Sequence, residues 1–254
     1  MQLFILFLGL LLCLPLSAGS LWIEEAVGTT QADKIADALA KRTAWINTYF
    51  PGNTALILED FEGLGVKGYG KYNGANYVAG YSPSLTTGVG TFQDISGAGA
   101  LPDAGTSKEE LAVLDASKTP FSGRYNTTAG GAQWLDSNDT QHFTLNLARP
   151  LDVLFFFTSD VDDINGTLTV LTSDGSSQTF SVPHVKQSNG DLFFVAYRGP
   201  AITSVKWSNT SAGDGFMLDD FGTIVPEPSF YLATGLALLG LFLAWRRKSA
   251  PPAN

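Results

Sequence analysis

From Ala132 onward the chain is cut into short apolar segments by turn residues, and this pattern restricts the fold more than any other feature. Gln141 to Leu147 alternates apolar and polar residues, whereas Leu151 to Thr158 (LDVLFFFT) reads as a buried run of strand length. Gly166 to Thr172 and Gln178 to Val182 flank Ser173-Asp174-Gly175-Ser176. Asp-Gly between two alternating runs predicts a hairpin, because Gly takes the positive φ that such turns need. Asp191 to Tyr197, Ile202 to Trp207 and Gly215 to Ile224 (GFMLDDFGTI) follow as further strands, after an opening strand at Thr54 to Phe61 (TALILEDF) and another at Thr86 to Ile95. Gly63 to Tyr81, rich in Gly and Tyr, reads as loop or loosely paired strand, and Glu109 to Ala116 as a short helical turn. About eight to ten strands with no interleaved helices predict an all-β fold, a jelly-roll-like β-sandwich.

One helix is expected. Between Gln31 and Tyr49, Ile35, Leu39 and Ile46, with Ala32, Ala36 and Trp45 beside them, form an apolar stripe, while Asp33, Lys34, Asp37, Lys41 and Arg42 point mainly elsewhere. Pro51-Gly52-Asn53 ends it. The stripe predicts packing against the sheet; it lacks the basic face of a membrane-surface helix.

Both ends of the chain are apolar. Met1 to Ser20 has the unbroken apolar core and the small residues, Ala18-Gly19-Ser20, of a cleavable secretory signal, with cutting by signal peptidase expected near Ser20. Cys13 is the only cysteine, so the mature chain is expected to hold neither disulfide nor thiolate chemistry. At the other end, the uncharged stretch Ser229 to Trp245 would span about 25 Å as a helix, enough for a bilayer core with some thinning. Arg246, Arg247 and Lys248 follow it, which places the folded part outside the cytoplasm by the positive-inside rule. The expected organisation is therefore a signal peptide (1–20), a helical segment (21–53), a β-sandwich (54–224) and a C-terminal signal (225–248) with its transmembrane helix at 229–245 and basic end at 246–248.

The order Pro226-Glu227-Pro228, a short apolar helix, then Arg246-Arg247 resembles the PEP-CTERM sorting signal of Gram-negative bacteria that make exopolysaccharide. The resemblance implies processing by an exosortase and a destination at the cell surface or in the extracellular matrix, in association with exopolysaccharide or biofilm material. The body also resembles a recurrent group of exosortase substrates, in Leu58-Glu59-Asp60-Phe61-Glu62-Gly63, in Gly130-Gly131-Ala132-Gln133-Trp134-Leu135-Asp136, in Phe156-Phe157-Thr158-Ser159-Asp160, and in Asp214-Gly215-Phe216-Met217-Leu218-Asp219-Asp220-Phe221. No settled molecular activity comes with that likeness.

Charge narrows the partners. The 15 Lys and Arg fall far short of the 24 Asp and Glu, and three of the basic residues lie in the tail, so the body is more acidic than the net −9 of the whole chain. No basic stripe exists to release counterions from nucleic acid. Three acidic clusters stand out: Glu59-Asp60-Glu62, Asp160-Asp162-Asp163 and Asp219-Asp220. The opening and closing strands are expected side by side, where Glu59, Glu62, Asp219 and Asp220 would repel one another unless a structural Ca²⁺ sat between them. The other reading makes them solvated strand-end charges. Tyr69 and Tyr72 in the Gly-rich stretch, with Trp134, are candidates for stacking on sugar rings; otherwise they cover a sheet and anchor loops. For catalysis the inventory is thin: His142 and His184 form no zinc motif, and no nucleophile elbow or phosphate loop occurs. The expected protein is a non-enzymatic binding sandwich, with a carbohydrate-binding module or carbohydrate-active enzyme as the alternative.

Overall fold

The structure is a computed structural model that describes residues 19–64, 69–72, 75–78, 84–95, 111–116, 122–137, 140–161, 167–181, 190–208, 215–226 and 242. Residues 1–18 and the tail elements Glu227, Pro228, Arg246 and Arg247 lie outside these. The strands are β1 (Ser20–Glu25), β2 (Asn53–Glu59), β3 (Tyr69–Tyr72), β4 (Ala75–Val78), β5 (Ser84–Thr86), β6 (Gly90–Asp94), β7 (Ala112–Asp115), β8 (Gln133–Asp136), β9 (His142–Ser159), β10 (Thr167–Thr172), β11 (Ser177–Ser181), β12 (Leu192–Ser208) and β13 (Met217–Pro226). The helix, α1, is Gln31–Tyr49.

Two long strands make the sandwich. β9 has 18 residues and β12 has 17, and their mutual register breaks between Arg198 and Ser204. Arg149-Pro150 on one strand and Gly199-Pro200 on the other lie at that break. Proline has no N–H to give to a ladder, so each strand changes partners there instead of ending. Before the break β9 pairs with β6, and after it with β13. β12 pairs first with β1 and then with β10. One layer thus runs β1-β12-β9-β13-β2, with β8 and β7 carrying on from the start of β13, and the other runs β11-β10-β12-β9-β6-β5.

The first layer is buried on both faces, which accounts for the apolar run in β9. Leu154 and Phe156, with Phe193, Val195 and Tyr197 of β12, face the second layer and pack on Phe92, Phe143, Val205 and Trp207. Val153, Phe155 and Phe157, with Phe194 and Ala196, face outward and are covered by Ala38, Trp45 and Ile46 of α1. Thr30 caps the helix reciprocally with Asp33: each side chain accepts a hydrogen bond from the other's backbone N–H, at 3.2 and 3.1 Å. Burial of Trp45 and Ile46 stabilises this docking by about 1.5–3 kcal/mol each.

Three elements differ from the sequence reading. The 21–53 segment is more than helix, because Ser20 to Glu25 pairs with β12 from Ser20↔Arg198 to Glu25↔Phe193. Leu111 to Leu114 belongs to strand rather than helical turn: its residues are buried alternately on the two sides, and β7 pairs with β8. The segments on either side of Pro150, and of Pro200, are single bent strands. The hairpin at Asp174-Gly175 and the adjacency of opening and closing strands are as expected, with β10 on β11 and β2 on β13.

Candidate functional site

Described members of the three acidic clusters, Glu62, Asp160, Asp219 and Asp220, meet at one end of the first layer, where β9 finishes at Ser159 and β13 begins at Met217. They meet around a loop, residues 122–132, rather than around a point. Glu62 Oε1 accepts hydrogen bonds from Asn126 Nδ2, Ala132 N and Gln133 N, each at 2.7 Å. Asp219 Oδ2 accepts from Thr127 N at 2.7 Å and Thr127 Oγ1 at 2.8 Å, and its Oδ1 from Asp220 N at 2.8 Å. Asp220 accepts from Thr128 Oγ1 at 2.6 Å and pairs with Arg42 of α1 at 3.1 Å. Arg124, on the same loop, reaches two buried carboxylates, Asp136 at 3.2 Å and Asp160 at 3.1 Å. Lys34 ties α1 to Asp191 at 2.7 Å, and Tyr125 donates to Gly190 O at 3.0 Å.

Backbone strain gathers at the same end. The non-glycine residues with positive φ are Phe61 (60°), Asp160 (63°) and Asp220 (52°) among the described residues. Asp tolerates this region better than most side chains, but Phe61 does not. Its N–H is held by Glu59 Oε1 at 2.7 Å, and its ring fills the core against Phe92 and Phe221. Asp220 sits where the β13 ladder shifts register, between Asp219 and Gly222, as a bulge residue does. Gly131 passes so close to Glu62 that a Cβ there would lie 2.2 Å from Oε1. The Gly130-Gly131-Ala132-Gln133 block is therefore a seat for the Glu62 carboxylate, a role that sequence pattern alone does not disclose.

Glu59, Glu62, Asp219 and Asp220, expected to share a Ca²⁺, each find partners within the protein. Glu59 turns away to Phe61 N and to Gly88 N, at 2.7 and 2.8 Å. The other three accept N–H and O–H donors from the loop. Among the described residues no group of three or more His, Cys, Asp or Glu is arranged to hold a metal; Asp162 and Asp163 lie outside them. Burial, and Asp220 beside it, push the Asp219 carboxyl well above the usual carboxylate range, against the pull of its Thr127 hydrogen bonds. Burial and the neighbouring Asp191 and Asp160 likewise raise the Tyr125 hydroxyl.

Trp134 is not a sugar platform. It has no exposed surface, packs with Leu114 and Met217 under α1, and donates from Nε1 to Asp136 at 3.4 Å. Tyr69 and Tyr72 fall on the β3–β4 hairpin, with Tyr69 opposite Val78 and Tyr72 opposite Ala75; their side chains are outside the description. Pro226 ends β13 opposite Asn53. An apolar cleft of about 390 Å³, counting its open mouth, lies between the layers and is lined by Ile23, Phe156, Val161, Leu168, Val195, Trp207 and Phe216. Its walls are almost wholly carbon, a poor match for a hydroxylated ligand.

The described outer face of the second layer is solvated and nearly uncharged. Cross-strand neighbours Thr179, Thr169, Lys206, Thr144, Gln93 and Ser84 form one row across six strands. Ser177, Leu171, Ser204, Asn146, Thr91 and Thr86 form the next. Each row spans roughly 24 Å at the usual strand spacing.

No family model and no curated protein matches this chain. Among solved structures, it is similar to a mutant of the carbohydrate-binding module CBM29-2 made to probe ligand recognition, with 10% identity over 67% of this chain and 91% of that one, at a TM-score of 0.28. A second structure of a family 29 carbohydrate-binding module gives 11% identity over 68% and 88%, at 0.26. The enzymatically active domain of tailspike protein 4 from bacteriophage CBA120 gives 14% identity over 65% of this chain and 20% of that chain, at 0.24. Overlaps this partial carry no weight for function.

Proposed function

We propose that this chain is an exported β-sandwich, held at a membrane by residues 229–245 until its tail is processed, that binds a neutral polysaccharide and does no chemistry on it. The supporting observation is the row of Thr, Ser, Asn and Gln side chains on the second layer, which offers paired donors and acceptors with a single cation, Lys206, in its two central rows. Hydroxyl and amide groups on a long, exposed face suit an uncharged, hydroxylated polymer, while the acidic body repels polyanions. Against catalysis stand the carboxylates at the network end. An acid–base pair must be able to reach its substrate, whereas Glu59, Glu62 and Asp219 are each spent on backbone or side-chain donors of the protein itself. Processing by an exosortase, with delivery to the cell surface or matrix alongside exopolysaccharide, belongs to the same proposal and rests on the tail's sequence.

Retention on neutral polysaccharide columns is the test. The protein should be retained in high salt as well as low, since no ion pair carries the binding. Replacing Gln93, Thr144 and Asn146 together by Ala should weaken retention at least tenfold while leaving the melting temperature unchanged. Failure to bind any neutral polysaccharide would sink the proposal.

A further inference from the structure

The first layer has two unlike ends. Opposite the carboxylate network lies the edge from which the chain leaves for its apolar tail: β13 is paired up to Pro226↔Asn53, and only Glu227 and Pro228 separate it from Ser229. Three extended residue steps reach about 11 Å at most. If 229–245 crosses a bilayer, as the proposal above holds, this edge of the sheet is confined to within that distance of the membrane surface. β1 begins on the same edge, with Ser20 opposite Arg198.

That edge carries an aromatic cluster. Asn53 donates from its backbone N to Phe50 O at 3.0 Å, so the end of α1 is fastened beside the exit strand. The rings of Trp22 and Tyr49 lie 4.8 Å apart, and Trp22 meets Trp45 edge-on at 5.5 Å. The Arg198 guanidinium lies 5.4 Å from the Phe50 ring and 5.9 Å from that of Tyr49. Trp22 and Phe50 are half-buried and Tyr49 is 36% exposed, although most of the large rings whose burial is described are interior. Side chains with an apolar body and a polar tip are those that favour the headgroup layer, and an arginine stacked on them can turn its charge to phosphate.

We infer that Trp22, Tyr49, Phe50 and Arg198 form a contact surface for phospholipid headgroups, seating the sandwich on the bilayer that its tail crosses. The network end then points away from the membrane. This inference depends on the tail being a membrane anchor, and the experiment separates the two.

The chain from Ser20 onward, which holds no cysteine so that an added thiol is unique, is reconstituted into vesicles of equal parts phosphatidylcholine and phosphatidylglycerol. A nitroxide is attached at Thr48→Cys, in the last turn of α1 beside the cluster, or at Thr179→Cys, on the outer face of the other layer. Relaxation by oxygen, which enters the bilayer, is compared with relaxation by a water-soluble nickel chelate. The label at Thr48 should favour oxygen severalfold over the label at Thr179, and a label at Tyr49→Cys should repeat that result. A chain that floats with the vesicles while both sites read as bulk water overturns the contact surface alone. A chain that does not float with them overturns the anchor, and the contact surface with it.

Discussion

Removing the Glu62 carboxylate should loosen the loop that closes the network end. One oxygen, Oε1, accepts three hydrogen bonds at 2.7 Å, two of them from the backbone N–H groups of Ala132 and Gln133. Hydrogen bonds to a charged acceptor contribute about 1.5–3 kcal/mol, and leaving these half-buried donors unpaired costs about 1 kcal/mol, the low end of the range for buried ones. Because the three share one atom they do not add fully, and Glu62→Ala should cost about 3–5 kcal/mol. Glu62→Gln keeps an acceptor oxygen in reach of the same donors and should cost about 1 kcal/mol. Gly131→Ala attacks the same contact from the other side, since its Cβ would fall 2.2 Å from Oε1 and 2.6 Å from Cδ. The carboxylate would have to withdraw, at a cost of about 2–3 kcal/mol. In a double-mutant cycle, Gly131→Ala should cost little once Glu62 is already Ala. Urea unfolding gives the energies, and hydrogen exchange at Ala132 and Gln133 reports the loop. Unchanged exchange in Glu62→Ala with a loss below about 1 kcal/mol, or strict additivity with Gly131→Ala, would refute the reasoning.

Three further outcomes are expected. Arg124→Met leaves Asp136 and Asp160 as buried charges without their shared cation and should destabilise the fold by about 3–5 kcal/mol; a loss under about 1 kcal/mol in urea unfolding would mean that the pairs are not formed. Burial and Asp220 raise the Asp219 carboxyl in the folded state, so its contribution to stability is full below the ordinary carboxylate value of about 4 and falls as pH rises toward its folded pKa. Asp219→Asn should flatten that part of the stability profile, and identical slopes for the two proteins would count against it. In the β10–β11 turn, the Thr172 hydroxyl, then Ser176, hold Asp174 down to about 2, so whatever that carboxylate contributes is present above about 4 and disappears as pH falls through 2. Carboxylate NMR should show it titrating there, and a value near 4 would mean an open turn.

What the sequence disclosed and what it hid divides along the range of the interactions. α1 and the β10–β11 hairpin are written in local terms: a 3.6-residue stripe with its Thr30–Asp33 cap, and a Gly175 with φ of 86° between two alternating runs. β1 was hidden because its partner on β12 is far along the chain and its six residues look like the tail end of a signal. β7 was hidden because Leu111 to Leu114 is apolar throughout, and a run so short carries no period to tell strand from helix. Pro150 and Pro200 read as strand ends because proline usually is one, yet here two prolines share one break in the ladder. At the candidate site, the convergence of acidic clusters on neighbouring strands was legible. Their partners were not, since Asn126, Thr127 and Thr128 have no pattern that distinguishes a loop which binds carboxylates from any other polar loop.

The two ends of the first layer can be ranked by what each tolerates. At the network end, three residues hold unfavourable backbone angles, and each has a carboxylate close at hand: Glu59 on the N–H of Phe61, Asp160 as a partner of Arg124, and Asp220 between Thr128 and Arg42. Strain of about 1–3 kcal/mol per residue persists only where the surroundings over-determine it, so that end is stiff. The exit edge is secured differently, by ring packing and a strand pair that runs up to the tail. A sandwich tethered there transmits any pull on its tail first to the antiparallel β2–β13 ladder, whose hydrogen bonds, perpendicular to the strands, take a pull along β13 in shear. The network end, at the opposite end of the first layer, meets such a load last, and its carboxylate bonds hold the strained backbone in place.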